Sequence, residues 1–424
     1  MLEIMILIVL IIVVFALVII EKNQYKTYFA PFTLFSVPYL VIILYQLIVI
    51  NIYGWENISS TYLFYILIYL IVFYIIGTIT TQFIKFLNKK QKYSLKTSTY
   101  AYHAVTKDNY QRVKILEIIS IISSIYLILF FMLKSRELPN IGMIVQEQFQ
   151  KRYSSGLNFY LRLVCMIGTI YFWGLINKSN KKFILLGLLC FIPNFLTFVK
   201  GIAFINVIGS VIANLILNNR KIKFNVLIKV VLVGILIFFS VYMIEIGIWN
   251  PNKLLERKTY EYIYAKLNVY LVSGVQSFNI NVSNPKKLFQ SLSNPVYAPV
   301  INLIAKFGLF ERIVTINNVW TTIGYIPKYG TVTVNTNTYI GTLSLYCGFF
   351  IGLLVNSIIS AVIYYFFWKA ISTKSITYIV RYSLMVSGLV LAWFEYYYMH
   401  TFWFYLILIF LIIDVISRFK ITVR

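Results

Sequence analysis

Long apolar runs, broken by short polar and basic stretches, recur along the whole chain. Crossing about 30 Å of hydrocarbon as a helix takes roughly 20 residues. Eleven segments approach or exceed that length: 2–20, 28–52, 61–84, 114–133, 157–177, 183–199, 201–218, 226–249, 338–367, 376–399 and 401–417. Pro193-Asn194 and Lys200-Gly201 interrupt the stretch 183–218, which predicts a hairpin of two short helices. Between 376 and 417 only Met399-His400-Thr401 divides the apolar sequence, so a tight or kinked connection is expected there. The first run carries Glu3 in place of a basic n-region and has no small-residue cleavage site before Glu21. It reads as a spanning helix and not as a cleavable signal.

Composition agrees. Of 424 residues, 60% are hydrophobic and 12% charged, with a mean hydropathy of +0.80. Soluble domains run near ~45–50% apolar and about 25% charged. A soluble enzyme, a disordered chain and a disulfide scaffold are excluded. The fold class expected is an all-α polytopic integral membrane protein of about eleven spanning helices. Residues 1–249 hold the first eight helices, 250–337 one large extracytoplasmic loop, and 338–424 the last three helices and a basic tail.

The net charge of +25, from 38 Lys and Arg against 13 Asp and Glu, would point to nucleic acid in a soluble protein. Here the basic residues cluster in alternate short loops, the positive-inside pattern, so the partner expected is the bilayer and not nucleic acid. Those loops hold Lys22 and Lys26, the group from Lys85 to Lys114, Lys178 to Lys182, Arg220 to Lys223, Lys369 and Lys374, and Arg418 to Arg424. They are assigned to the cytoplasm, which puts the N-terminus outside. Cys165, Cys190 and Cys347 show no metal-binding spacing, and with two histidines no metal site or other cofactor is expected.

The loop at 250–337 is far longer than a connection needs, and long loops tend to carry function. Residues 253–266 read as a charged amphipathic helix, 267–282 as an apolar and aromatic stretch, and 298–313 as a second amphipathic one. Lys253, Arg257, Lys258, Lys266, Lys286, Lys287, Lys306, Arg312 and Lys328 stand against Glu256, Glu261 and Glu311, nine minus three, or +6. Either a long loop translocates regardless of its charge, or the excess binds an anion such as a phosphate or pyrophosphate. Lys200 stands alone at an outer hairpin and is followed by Gly201; it either snorkels to the interface or meets a ligand. Arg162, a few residues into its helix, is either a snorkelling end residue or an inward-facing cation. Six polar side chains crowd positions 334–344, among them Asn335, Asn337 and Thr338, more than helix capping requires. They suit hydrogen bonding to a polyhydroxylated or phosphorylated ligand. Gly341, Gly348 and Gly352 suit close helix packing.

Together these residues resemble the Wzy-type oligosaccharide repeat-unit polymerases of bacterial O-antigen and capsule synthesis. The likeness rests on Lys200-Gly201, on Tyr270-Leu271-Val272-Ser273-Gly274 leading to Gln276, and on Asn337-Thr338-Tyr339 running to Tyr346, Gly348 and Gly352. Two positions depart from the family pattern. Lys200 stands where Arg is commoner, and Cys347 where Asp often precedes the glycine.

The resemblance implies a GT-C-like glycosyltransferase of the bacterial cytoplasmic membrane. It would move a glycan from undecaprenyl pyrophosphate onto the sugar of another lipid-linked unit, with a chain-length regulator as a possible partner. Lys200 would stabilise the departing pyrophosphate. A base for the attacking hydroxyl would come from Glu245, Glu395 or His400. Arg162, Lys253, Arg257, Lys258 and Lys266 would supply further cations, and Tyr270, Gln276, Asn335, Asn337, Thr338, Tyr339 and Tyr346 would contact sugars. An O-antigen-ligase-like enzyme differs from this only in its acceptor. A flippase of lipid-linked oligosaccharide would show internal repeats and short loops; neither repeat nor symmetry is seen, and the long outer loop speaks against it. A scaffold would need fewer polar residues at outer helix ends.

Overall fold

A computed structural model describes residues 1–87, 107–138, 147–177, 181–218, 224–283, 294–309, 311, 320–326 and 330–416. The chain begins with α1 Leu2–Tyr25, α2 Pro31–Tyr53, α3 Ser60–Leu87 and α4 Lys107–Arg136. A short α5 Glu147–Tyr153 precedes α6 Gly156–Gly174, α7 Lys182–Phe195, α8 Lys200–Leu217 and α9 Phe224–Trp249. A 3-10 turn at Pro251–Leu255 leads to α10 Arg257–Val282 and α11 Ala298–Ala305. An antiparallel hairpin of β1 Thr321–Ile326 and β2 Gly330–Val334 comes next, then α12 Tyr339–Thr373, α13 Ile376–Val390 and α14 Phe402–Ile416.

Among the described residues, α1–α4, α6, α8, α9 and α12 are eight helices long and apolar enough to cross a bilayer. Shorter apolar helices lie at α7, α13 and α14. This is an all-α multi-pass membrane protein. The expected hairpin at 183–218 is present as α7 and α8.

Three expectations are corrected. Residues 257–282 form one helix in place of two separate stretches. The second amphipathic stretch is helical only to Ala305, and Gly308 takes a left-handed φ of 75° just beyond. The helix expected to reach 399 stops at Val390, and residues 391–401 link α13 to α14 through turns and a 3-10 turn at Tyr397–Met399. The β-hairpin was not expected at all.

The chain divides into two compact units. One comprises Met1–Ser94, Lys266–Lys369 and Gly388–Thr401. The other comprises Leu95–Ala265, Ala370–Ser387 and Phe402–Arg424.

In the first unit, the buried carboxylate of Glu21 on α1 sits over the start of α2. It accepts from the amides of Phe32 (3.1 Å) and Thr33 (2.8 Å), from the Thr33 hydroxyl (2.7 Å) and from the Tyr364 hydroxyl of α12. Helix N-termini leave such amides unpaired, and a carboxylate complements their partial positive charge. Helix α12 is broken at Gly348, whose φ of 75° and ψ of 167° are accessible essentially to glycine alone. The carbonyls around the break are met by Asn294 Nδ2 (2.9 Å to Tyr346 O) and the Tyr69 hydroxyl (3.1 Å to Phe349 O). Irregular backbone within a membrane requires such substitutes. The break also corrects the packing role expected of Gly348, since a Cβ there would meet no atom within 4 Å.

In the second unit, α6 packs against α4, α7 and α8, and α8 against α9. Leu127, Phe149, Tyr153 and Cys165 form a buried cluster, with Leu161, Leu196 and Phe198 packed on it.

Candidate functional site

Lys200 is the first residue of α8. The chain is turned into that position by Phe198, left-handed at φ 55°, and by extended Val199, whose amide donates to the Thr197 hydroxyl (3.3 Å). No side chain caps α8. A cation at a helix N-terminus faces the positive end of the helix dipole, so helix stability does not account for a lysine there. Its compensation comes from α9. Lys200 Nζ lies 3.4 Å from Glu245 Oε1 and 4.1 Å from the centroid of the Tyr242 ring. Tyr242 and Glu245 are three residues apart, hence on one face of α9. The side chains of Lys200 and Glu245 remain 13% and 28% exposed, so the pair is partly open to a ligand.

The Tyr242 ring also meets Phe238 at 4.9 Å and Tyr262 of α10 edge-on at 6.5 Å. Beside it, Met243, Ile244, Gly247 and Ile248 of α9 with Pro251 and Leu254 line an apolar groove of about 580 Å³. Of the loop cations, Lys253, Arg257 and Lys258 are exposed and Lys266 is half-buried. Arg257 Nε is engaged by Glu261 at 3.1 Å, so it is less available to a ligand than its charge implied. Arg162 is not a snorkelling residue: it is 6% exposed, within α6.

The remaining expected site residues fall in the first unit, where most of their hydrogen-bonding capacity serves the fold. The Gln276 amide pairs with Gln46 and donates to Glu56 O (3.0 Å). Asn337 Oδ1 accepts from Ser277 (3.0 Å) and Asn281 (3.4 Å), and Asn281 also donates to Thr321 of the hairpin (2.9 Å). The Thr338 hydroxyl accepts from Gly341 N (2.9 Å) in the first turn of α12. The Tyr339 hydroxyl donates to Asn356 (3.0 Å) and its amide to Ala392 O (2.7 Å). Tyr270 stacks on Phe394 at 5.3 Å, and at Gly274 one turn on, a Cβ would stand 2.3 Å from Phe394 O. The motif from Tyr270 to Gly274 thus seats α10 on the link after α13.

Asn335 and Tyr346 are half-buried, as is Glu395, while His400 is exposed. Both Glu395 and His400 lie on the link between α13 and α14. Burial holds the phenols of Tyr396, Tyr397 and Tyr398 above the ordinary tyrosine range, so on that link they act as neutral donors and not as bases. Among the described residues no three His, Cys, Asp or Glu gather as a metal site.

Sequence reading singled out Lys200 and Glu245 but did not pair them, and it missed Tyr242. The only local signal was an aromatic residue three positions before an acid. It also missed Glu21 as a ligand of the α2 N-terminus.

A family model matches residues 57–423, most of the chain. The chain belongs to DUF6337, a family of unknown function. No curated protein and no solved structure matches it. Within this DUF6337 chain the matched region takes in Lys200, Glu245, Arg162 and the broken helix α12, and leaves out α1 and α2.

Proposed function

We propose that this chain is a GT-C-like glycosyltransferase of the bacterial cytoplasmic membrane that polymerises lipid-linked oligosaccharide repeat units, with α7, α13 and α14 crossing the bilayer alongside the eight longer helices. The observation that carries the reading is the Lys200–Glu245 pair at the uncapped start of α8. The ammonium of Lys200 and the positive end of the α8 dipole there offer charge from two sources to one anion. A pyrophosphate linked to a polyprenyl chain supplies that anion, and the apolar groove beside α9 has the character such a chain needs.

In the resting protein Glu245 neutralises Lys200. When the donor pyrophosphate takes the lysine, the carboxylate is released to accept the proton of the acceptor sugar hydroxyl. The acceptor oxygen then bonds to the anomeric carbon of the donor glycan. The bond from that carbon to the phosphate oxygen breaks, its electron pair leaves with the pyrophosphate, and Lys200 stabilises the charge formed.

Product analysis of a strain lacking the protein tests the reading. Single repeat units retained on lipid are the expected result. Long chains that remain unligated would assign the acceptor of a ligase instead, and normal polymer would reject both.

A further inference from the structure

Helix α6 contains a single charged residue, and it points inward. Arg162 is 6% exposed, and its Nε is buried with no hydrogen-bond partner. Among the described residues no carboxylate pairs with it: α6 and α7 contain none, and no ion pair reaches the guanidinium. A guanidinium keeps its proton at any accessible pH and brings five donors with no acceptor. Burying it without a counter-charge is strongly unfavourable.

The surroundings offer no compensation. Leu127, Phe149, Tyr153 and Cys165 make up the neighbouring cluster. The nearby polar groups are committed elsewhere: Tyr153 donates to Pro193 O (3.1 Å), Ser124 to Ser120 O (2.7 Å) with Cys165 Sγ at 3.3 Å, and Thr197 to Asn194 O (2.7 Å). Asn194 Nδ2 reaches only the backbone oxygen of Arg162, at 3.4 Å. Arg162 therefore has donors to spare, and among the described residues no anion meets them.

We infer that Arg162 is the centre of a phosphate-binding site among α4, α5, α6 and α7. The planar fork of a guanidinium matches two oxygens of a phosphate. The phosphate comes either from a lipid headgroup or from solution. This inference does not depend on the polymerase reading, because Lys200 and Glu245 play no part in it.

The test is thermal unfolding of the purified full-length protein in detergent. The probes are inorganic phosphate, farnesyl phosphate, farnesol and acetate, and the variants are Arg162→Met and Arg162→Lys. A phosphate-bearing probe is expected to raise the wild-type melting temperature by about 5 °C or more, while farnesol and acetate do not. Arg162→Met should melt at or above the unliganded wild type, since an uncompensated charge is gone, and should not respond to phosphate. A full response to inorganic phosphate assigns the site to free phosphate, and a response to farnesyl phosphate alone assigns it to a lipid headgroup; either supports the site. No wild-type response to either phosphate probe overturns it, as does an equal response to acetate or an unchanged response in Arg162→Met. If Arg162→Met does not fold, Arg162→Lys decides: a weakened response supports the site, and an undiminished one overturns it. Polymer production does not enter any of these readouts, so the polymerase reading can fail while this one stands.

Discussion

Lys200 and Glu245, 45 residues apart in the chain, meet as an ion pair at the start of α8, with Tyr242 beneath the ammonium. Its length of 3.4 Å and its partial exposure describe a pair that a stronger anion can open. Removing the lysine leaves Glu245, whose side chain is 28% exposed, in reach of water, so no charge is stranded in the interior. Losing it should therefore leave the protein folded.

Lys200→Ala is accordingly expected to abolish polymer while leaving the protein level intact, and Lys200→Arg to retain part of the activity. Removing one donor to a developing negative charge costs about 2.7–4 kcal/mol, or a rate loss of roughly 10²–10³. Polymer length on gels and immunoblots of membranes measure the two quantities. Full polymer from Lys200→Ala would reduce the residue to an interfacial anchor.

Glu245→Gln keeps the shape and removes the charge and the basicity. Under the proposed mechanism its turnover falls by roughly 10²–10⁴, whereas binding of a lipid pyrophosphate is retained or strengthened because the competing carboxylate is neutral. An in vitro assay that reads donor binding and turnover separately decides this. Equal loss of both would make Glu245 a fixture of the fold.

Reporter fusions after residues 95 and 222 are expected in the cytoplasm, and those after 145, 290 and 330 on the outer side. Residues 95, 222, 145 and 290 lie outside the described residues, as does the neighbourhood before 330, so the assignment rests on loop charge. A cytoplasmic signal from 290 or 330 would place the long loop on the wrong side for lipid-linked repeat units and sink the catalytic proposal.

Gly348→Ala meets open space but a forbidden backbone, a φ of 75° with a ψ of 167°. A cost of about 1–3 kcal/mol is expected, seen as a lower melting temperature in detergent. Gly348→Asn should recover little, because this region is not the left-handed helical one that asparagine tolerates. Wild-type stability in both variants would mean that α12 runs straight.

Glu21→Ala removes the acceptor of four hydrogen bonds in a site with no water exposure. A loss of about 2–4 kcal/mol is expected from the donors left unpaired. Glu21→Gln, which keeps one acceptor, should lose less. Thermal unfolding in detergent ranks the three proteins, and an Ala variant as stable as wild type would reject the role.

The helices α1 to α4 could be read from the sequence because their apolar runs are long and bounded by charge. Helix α10 could not. Its Asn268, Gln276, Asn279 and Asn281 are turned inward, where each meets a partner from α2, the following loop, or the β-hairpin. Average hydropathy cannot tell a polar residue satisfied in the interior from one in water. The end of α13 was hidden for the opposite reason. Leu391-Ala392-Trp393-Phe394 carries no local stop signal, and the helix ends because its backbone is used elsewhere: Ala392 O by Tyr339 N, Phe394 O by the close approach of Gly274. As for the site, a lone lysine before glycine was visible in one dimension. Its pairing with Glu245 and the burial of Arg162 required three.

The bond between Glu21 and Tyr364 also sets an order of events during synthesis. Its two ends are 343 residues apart. At ~5–20 residues per second, the acceptor waits on the order of 20–70 s for its last donor. Its other donors, Phe32 and Thr33, follow within 12 residues. The α1–α2 pair thus enters the bilayer with its carboxylate already largely served, and the Tyr364 hydroxyl closes the set only once most of the chain has left the ribosome. A nascent chain halted before Tyr364 would leave the Glu21 carboxyl one hydrogen-bond partner short, a chemical mark by which an unfinished product differs from a finished one.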